Sequence, residues 1–364
     1  MEGKYLFVWL FAQVEYGRTI DQIADDALEM DVRMVAVKIA DGAAVNGAST
    51  TADRMRLYVD AFHKRGIQVW GWQYLYGGRK VVRDSAGNVI GFTENTYSTP
   101  QSEAQIAIDQ LARFGLDGYI MDPEREYKTA PAGRASEFMG RLRAGIGALP
   151  VGLCSYRYPR VHPELAWREF LAETDYHMPQ VYWGHGPSMN GMTSDGRWCS
   201  QVELDTSVEQ LRALKDIPFM PVGRAYIGDG HAGPRPEEIT AFLDRARALE
   251  FVSAGFWAWD FLRPSYPGAS DRKAAISDFS WSTTPPPPPP PPPPPSPILA
   301  TMTVITALNV RTSPDMSSNA NIVGTMPAGT VVNVLEFLMA GGYLWARHSA
   351  GWSARYQIGR EYMK

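Results

Sequence analysis

The chain has 364 residues and a net charge of −4, with 45% hydrophobic, 20% charged and 12% aromatic residues. That length allows one large domain and a smaller one, and the charge gives no electrostatic footprint for nucleic acid. No apolar stretch approaches the roughly 20 residues that insertion into a membrane requires, and two cysteines, Cys154 and Cys199, cannot make a disulfide framework.

The opening MEGKYLFVWLFAQVEYG has a short apolar centre, a single lysine beside Glu2 and no A-x-A cleavage site, so it reads as a first β-strand and not as an export signal. From there short apolar runs alternate with amphipathic ones. The expected strands are YLFVWLF, MVAVKIA, IQVWGWQYL, GYIMD, PVGLCSY, DYHMPQVYW, FMPVGRAYI and SAGFWAWDF. Helices are expected over 19–30, 51–65, 101–114, 132–147, 163–172, 205–215, 236–249 and 271–278. In TPQSEAQIAIDQLARFG, Ser102 and Gln105 form an incomplete capping box; Ile106, Leu111 and Phe114 build the apolar face, and Gly115 stops the helix.

Eight strand–helix alternations within residues 1–282 predict an α/β fold, a parallel sheet closed into a TIM-like (β/α)8 barrel. An open doubly wound sheet is the alternative; the place where its phosphate-binding Gly-x-Gly-x-x-Gly would fall reads FAQVEYG. Long excursions follow the third and sixth strands. GGRKVVRDSAGNVIGFTENTYS suggests a hairpin turning at Ser85–Asn88, and GHGPSMNGMTSDGRWCSQ is rich in Gly, Ser and Asn. Both leave from strand ends and could wall a groove, with Trp198 as a platform.

Eleven consecutive prolines, Pro285 to Pro295, have no backbone donors and fixed φ, so 283–297 is expected to be an extended polyproline linker. Residues 298–364 change character to short β-type runs with Gly and Asn turns, which predict a small all-β barrel. Leu308-Asn309-Val310-Arg311, the VGTMPAGTVVNV hairpin and Gly351-Trp352 make this stretch similar to the bacterial SH3 domain. Its five Arg/Lys against three acids contrast with the acidic remainder and would suit adhesion to an anionic polymer.

Functional groups of such a barrel gather at the C-terminal ends of the strands. The strand assignments therefore deliver Gln13 and Glu15; Lys38 and Asp41; Trp72, Gln73, Tyr74 and Tyr76; Asp122, Glu124 and Glu126; Ser155, Tyr156 and Arg157; Gln180, Tyr182 and Trp183; Arg224 and Tyr226; and Trp257, Trp259 and Asp260. Aromatic rings with acids and amides match sugars, whose C–H faces stack and whose hydroxyls need polar partners. Asp122 and Glu124, two apart, share one face, and like charges that close raise a carboxyl pKa toward that of a proton donor. Glu124 is the candidate general acid, with Asp122 holding or polarising it. His177 and His185, near strand 6, are open to a catalytic role but read first as structural groups, and His162 in RVHPEL marks a helix start. No metal-ligand spacing or cofactor motif occurs, so neither a metal nor a cofactor is expected.

VAVKIADG, VWGWQYLY, YIMDPE and the Trp-rich last strand resemble glycoside hydrolase family 25, the barrel muramidases of phage endolysins and bacterial wall enzymes. The resemblance spans residues 4–262 and implies that Asp122 and Glu124 contain the catalytic acid. Family members open with an Asp on strand 1; this chain has no acid there before Glu15, and Asp260 is the candidate to compensate. Two readings follow. One is a wall glycosidase acting outside the cell on peptidoglycan or wall polysaccharide, spaced by the proline rod and anchored by the SH3-like part. The other is a non-catalytic glycan-binding or virion-surface protein that keeps the scaffold.

Overall fold

The computed structural model describes residues 2–45, 51–184, 191–228, 233–281, 300–357 and 360–364; the proline linker and His185 lie outside them. Eight parallel strands form a closed ring: β1 (Gly3–Val8), β2 (Val32–Asp41), β3 (Gln68–Leu75), β4 (Gly118–Pro123), β5 (Val151–Tyr156), β6 (Tyr176–Val181), β7 (Val222–Arg224) and β8 (Ser253–Trp257). Each pairs with its successor, and β8 pairs back onto β1 with Gly3 opposite Ser253. The fold is the expected (β/α)8 barrel.

The two-residue period of a strand sorts its side chains between the inside and the outside of the ring. Tyr5, Phe7, Met34, Ala36, Trp70, Trp72, Ile120, Cys154, Met178 and Val222 pack as the barrel interior. Their neighbours Leu6, Val8, Val35, Val37, Val69, Tyr119 and Met121 face outward into a second apolar layer under the helices. Both faces are thus covered, which is why the strands read as nearly continuous apolar runs. Large interior rings need space opposite them: a Cβ on Gly255 would stand 2.3 Å from the Tyr5 ring, and one on Gly118 2.4 Å from Trp70.

Helices cover the ring at Ile20–Glu29, Ala52–His63, Pro100–Phe114, Ala132–Ile146, Trp167–Ala172, Cys199–Arg212, Pro236–Ala248 and Ala269–Ser277, with one short turn of helix at Phe11–Glu15. The third of these begins one residue before the expected 101, because Thr99 caps it. The Thr99 hydroxyl accepts from Ser102 N, Ser102 Oγ accepts from Thr99 N, and Pro100 takes the first turn. The helix expected at 205–215 starts earlier, at Cys199, where the Gln201 side chain accepts from Trp198 N. The helix expected from 163 starts at Trp167, after a 3-10 turn at Pro159–Val161.

Lys4, at the start of β1, is buried and sends its ammonium to Ile276 O (2.6 Å) and Phe279 O (2.5 Å) at the end of the last helix. Burial lowers its pKa to about 8.

The chain divides into two compact units, Met1–Thr284 and Pro285–Lys364. Within the second, the described residues form antiparallel strands, among them Leu308–Arg311, Ile322–Met326, Tyr343–His348 and Gly351–Gln357. Met302, Val304, Leu308, Val310, Met326, Val334, Ala346 and Met363 make its core.

Candidate active site

A cavity of about 660 Å³ opens at the C-terminal mouth of the barrel. At its floor lie Asp122 and Glu124, which the last turn of β4 and the residue after it turn inward. Gln180, two strands away on β6, donates its Nε2 hydrogens to both, to Asp122 Oδ1 at 2.8 Å and Glu124 Oε1 at 3.0 Å. Because both bonds end on one nitrogen, the carboxyl groups are close neighbours. Burial, followed by the Glu124 charge, pushes the Asp122 pKa well up. Burial also raises Glu124; the Gln180 hydrogen bond opposes this and the Glu126 charge adds to it.

The walls are aromatic. Trp72 and Trp257 meet edge to face at 5.1 Å, with Phe7 at 5.6 Å from Trp257 and 6.1 Å from Trp72. The Trp72 indole donates to Val8 O at 3.0 Å, which fixes its plane. Opposite, Tyr182 and Tyr226 meet at 5.5 Å, and Phe261 stands 6.0 Å from Tyr226. Tyr74 donates its hydroxyl to Glu126 Oε2 at 2.6 Å, and the adjacent Tyr76 donates to Asp41 Oδ1 at 2.7 Å. Asp41 also receives Lys38 Nζ at 2.7 Å, and that ammonium sits 4.9 Å from the Trp72 ring. Among residues at the expected strand ends, Asp41, Lys38, Trp72, Tyr74, Tyr76, Asp122, Glu124, Gln180, Tyr182, Tyr226 and Trp257 converge on this cavity. Phe7, Trp9, Cys154 and Phe261 also line it, from outside the expected set.

Several expected site residues stand elsewhere. Asp260 is turned away from the cavity and buried, and its carboxylate accepts from Trp9 N (3.0 Å) and Leu10 N (2.7 Å). It pins the turn after β1, and burial raises its pKa to about 6. Trp259 packs at 6.4 Å from Phe62 in the outer apolar layer, because the chain leaves β8 into a 3-10 turn after Trp257. Trp183 points outward as well, 5.3 Å from Phe242 and fully buried under helix Pro236–Ala248. Arg224 is buried behind the wall, donating to Trp183 O at 3.0 Å and Tyr226 O at 3.3 Å, so it supports Tyr226.

Glu126 is buried beside the cavity as the acceptor of Tyr74. Tyr156 stands beside it too, its ring 3.9 Å from His162 and 4.5 Å from Lys128 Nζ. Gln73 faces the outer layer, bonded to Gly42 O and Tyr119 Oη. Trp198 lies in a cleft against helix Pro236–Ala248. His177 is buried, bonded to Lys215 O at 2.7 Å, and burial takes its pKa down to about 4. The hairpin forms as expected: Arg79–Arg83 pairs with Val89–Glu94, and Asp84 closes the turn by accepting from Ala86 N and Asn88 N. Among the described residues no group of His, Cys, Asp and Glu is placed to hold a metal ion, and no helix is long and apolar enough to cross a membrane.

By sequence the chain matches no family model and no curated protein. In structure it resembles active domain 2 of the thermostable chitinase from Pyrococcus furiosus, solved in complex with chito-oligosaccharides, at 11% identity over 76% of this chain and 92% of that one, with a TM-score of 0.53. It also resembles the class V chitinase from Nicotiana tobaccum at 11% identity, over 76% and 98% of the two chains, with a TM-score of 0.50. The PgaB (BpsB) glycoside hydrolase domain from Bordetella bronchiseptica is similar at 12% identity, over 77% and 99%, again with a TM-score of 0.50. The likeness is one of fold, a (β/α)8 barrel.

Proposed function

We propose that the barrel is a glycoside hydrolase that cleaves an N-acetylated glycan of the bacterial cell wall, with Glu124 as the proton donor. The observation that carries this reading is the pair of enclosed carboxyl groups, Asp122 and Glu124, held on a single amide at the floor of a sugar-sized aromatic cavity. A carboxyl group whose pKa burial raises is the better suited to protonate the leaving glycosidic oxygen. The two acids accept from one nitrogen of Gln180 and so stand side by side. They cannot flank the scissile bond as the two carboxyl groups of an inverting pair do, about 6.5 Å or more apart. Asp41 is already engaged by Lys38 and Tyr76. We assign the attack to the sugar's own 2-acetamido oxygen, as in substrate-assisted glycosidases, with Asp122 beside Glu124 placed to accept from the acetamido N–H. The similarity in fold to chitinases and to PgaB supports this reading. Release of new reducing ends from purified wall glycan by the full-length chain tests it; a chain that binds the glycan and releases none overturns it.

The finer assignment is a peptidoglycan muramidase of endolysin type acting outside the cell, in keeping with the resemblance to family 25, with residues 298–364 as an SH3-like wall anchor. Tethering raises the local substrate concentration and leaves the chemistry unchanged. A chain ending at 282 is therefore expected to hydrolyse soluble glycan fragments as the full chain does, yet to clear intact walls about 100-fold more slowly, by turbidity. Equal clearing by both chains removes the anchoring role.

The pH profile gives a second check. The Glu126 charge raises the Glu124 pKa, and the amide of Glu126→Gln still offers an oxygen to Tyr74. In that variant the donor loses its proton at lower pH, so the basic limb of the kcat/KM profile is expected to move to lower pH. An unmoved limb means that Glu124 does not set it.

A further inference from the structure

We propose that the barrel carries a second, cationic subsite on the same rim, formed by Tyr16, Arg18, Arg263, Tyr266 and Lys273, which receives a carboxylate borne by the glycan that occupies the Asp122–Glu124 cavity. The proposal rests on the glycan-binding role given to that cavity above.

A separate cavity of about 680 Å³ opens between the connection that follows β1 and the one that follows β8. Those strands are paired neighbours, so both connections leave the rim side by side. Three cations line this cavity around one carboxylate: Arg18 (2.7 Å) and Lys273 both pair with Asp26, which leaves the enclosure with an excess of positive charge. Among the described residues Arg263 makes no ion pair, and its Nε is enclosed without a hydrogen-bond partner. Its guanidinium is held over the Tyr266 ring at 4.7 Å and the Tyr16 ring at 5.9 Å, with Nη2 donating to Tyr266 Oη at 3.3 Å. A guanidinium fixed by stacking, with one Nη2 hydrogen engaged by Tyr266, is suited to a carboxylate, which its two terminal nitrogens can bind through two parallel hydrogen bonds.

A run of rings connects this cavity to the first. Tyr182 meets Tyr226 at 5.5 Å, Tyr226 meets Phe261 at 6.0 Å, and Phe261 meets Tyr266 at 5.1 Å. Tyr226 and Phe261 line the carboxyl-bearing cavity and Tyr266 lines the cationic one. A chain of sugars can pass along such a track, and its far end favours a unit that carries an acid. A neutral glycan gains nothing from the Arg263 charge there. Wall glycan carries carboxylates on its muramic acid units and on the peptides attached to them.

The test uses the full-length chain with Glu124→Gln, so that binding is read without turnover. Soluble wall-glycan fragments, and the same fragments with their carboxyl groups converted to amides, are titrated calorimetrically. Adding Arg263→Gln is expected to weaken binding of the acidic fragments about tenfold, by more at low salt than at high salt, and to leave the amidated fragments unaffected. Arg263→Lys should recover part of the loss, and Arg212→Gln, on the outer face of helix Cys199–Arg212, should bind as the parent does. An equal loss for both fragments, no loss for either, or no binding of either fragment overturns the subsite. So does a phosphate-bearing wall polymer that binds through Arg263 while the carboxylated fragments do not. Discrimination through Arg263 in a chain that releases no sugar upholds the subsite and overturns hydrolysis; cleavage by the wild type without discrimination does the reverse.

Discussion

Replacing Glu124 with Gln is expected to lower turnover of wall glycan by about 10³-fold, the scale of a lost general acid, while glycan binding and thermal melting stay near those of the wild type. The structural grounds are specific. The introduced amide keeps an oxygen where Gln180 Nε2 now donates at 3.0 Å. Among the described residues no ion pair is broken, because the enclosed carboxyl group is held by that one hydrogen bond. What the substitution removes is the acidic hydroxyl the proposed donor needs. Asp122→Asn is expected to be less damaging to proton donation, since the glutamate persists. Reducing-end release compared with calorimetric binding separates the two effects. A Glu124→Gln chain that turns over at the wild-type rate would take the proton-donor role away from this residue, and a wild type that binds without cleaving leaves a glycan-binding barrel.

Trp183→Ala, by contrast, is expected to cost about 3–5 kcal/mol of stability and to change neither KM nor the specificity of the folded fraction. The indole is fully buried against Phe242, outside the ring of strands. Its removal opens a cavity between the barrel and helix Pro236–Ala248. At about 2–4 °C per kcal/mol for a domain of this size, the melting temperature should fall on the order of 10 °C. A variant that melts like the wild type but binds glycan more weakly would move Trp183 back to the cavity of Asp122 and Glu124.

Tyr182 and Trp183 show what the sequence could reveal and what it could not. The number of strands, their order and the polar character of their C-terminal ends were legible, because buried parallel strands are apolar throughout and only their mouths carry acids, amides and rings. The expected site then treated neighbouring residues as equivalent. Strand parity separates them: Gln180 and Tyr182 share the inner face, so Val181 and Trp183 face outward. The same rule places Trp72 and Tyr74 inside and Gln73 outside, and it was available from spacing alone. Asp260 and Trp259 were not open to that correction. The chain abandons the strand after Trp257 for a 3-10 turn, and no two-residue period continues through it. Asp41 was visible as a strand end, but its engagement by Lys38 and Tyr76 depends on partners 3 and 35 residues away in sequence. The second, cationic cavity was not legible either, because it joins residues near 16 to residues near 266.

The contact of Lys4 with the last helix bears on how the barrel is closed. A ring of strands has no natural beginning, and this one is sealed where the two chain ends of the barrel meet. With one ammonium sewing residue 4 to the carbonyls of 276 and 279, those ends are already neighbours. A chain rejoined at that seam and reopened at an exposed connection elsewhere would retain every strand pairing. The order in which the barrel is written in the gene is thus separable from the order in which it is held together.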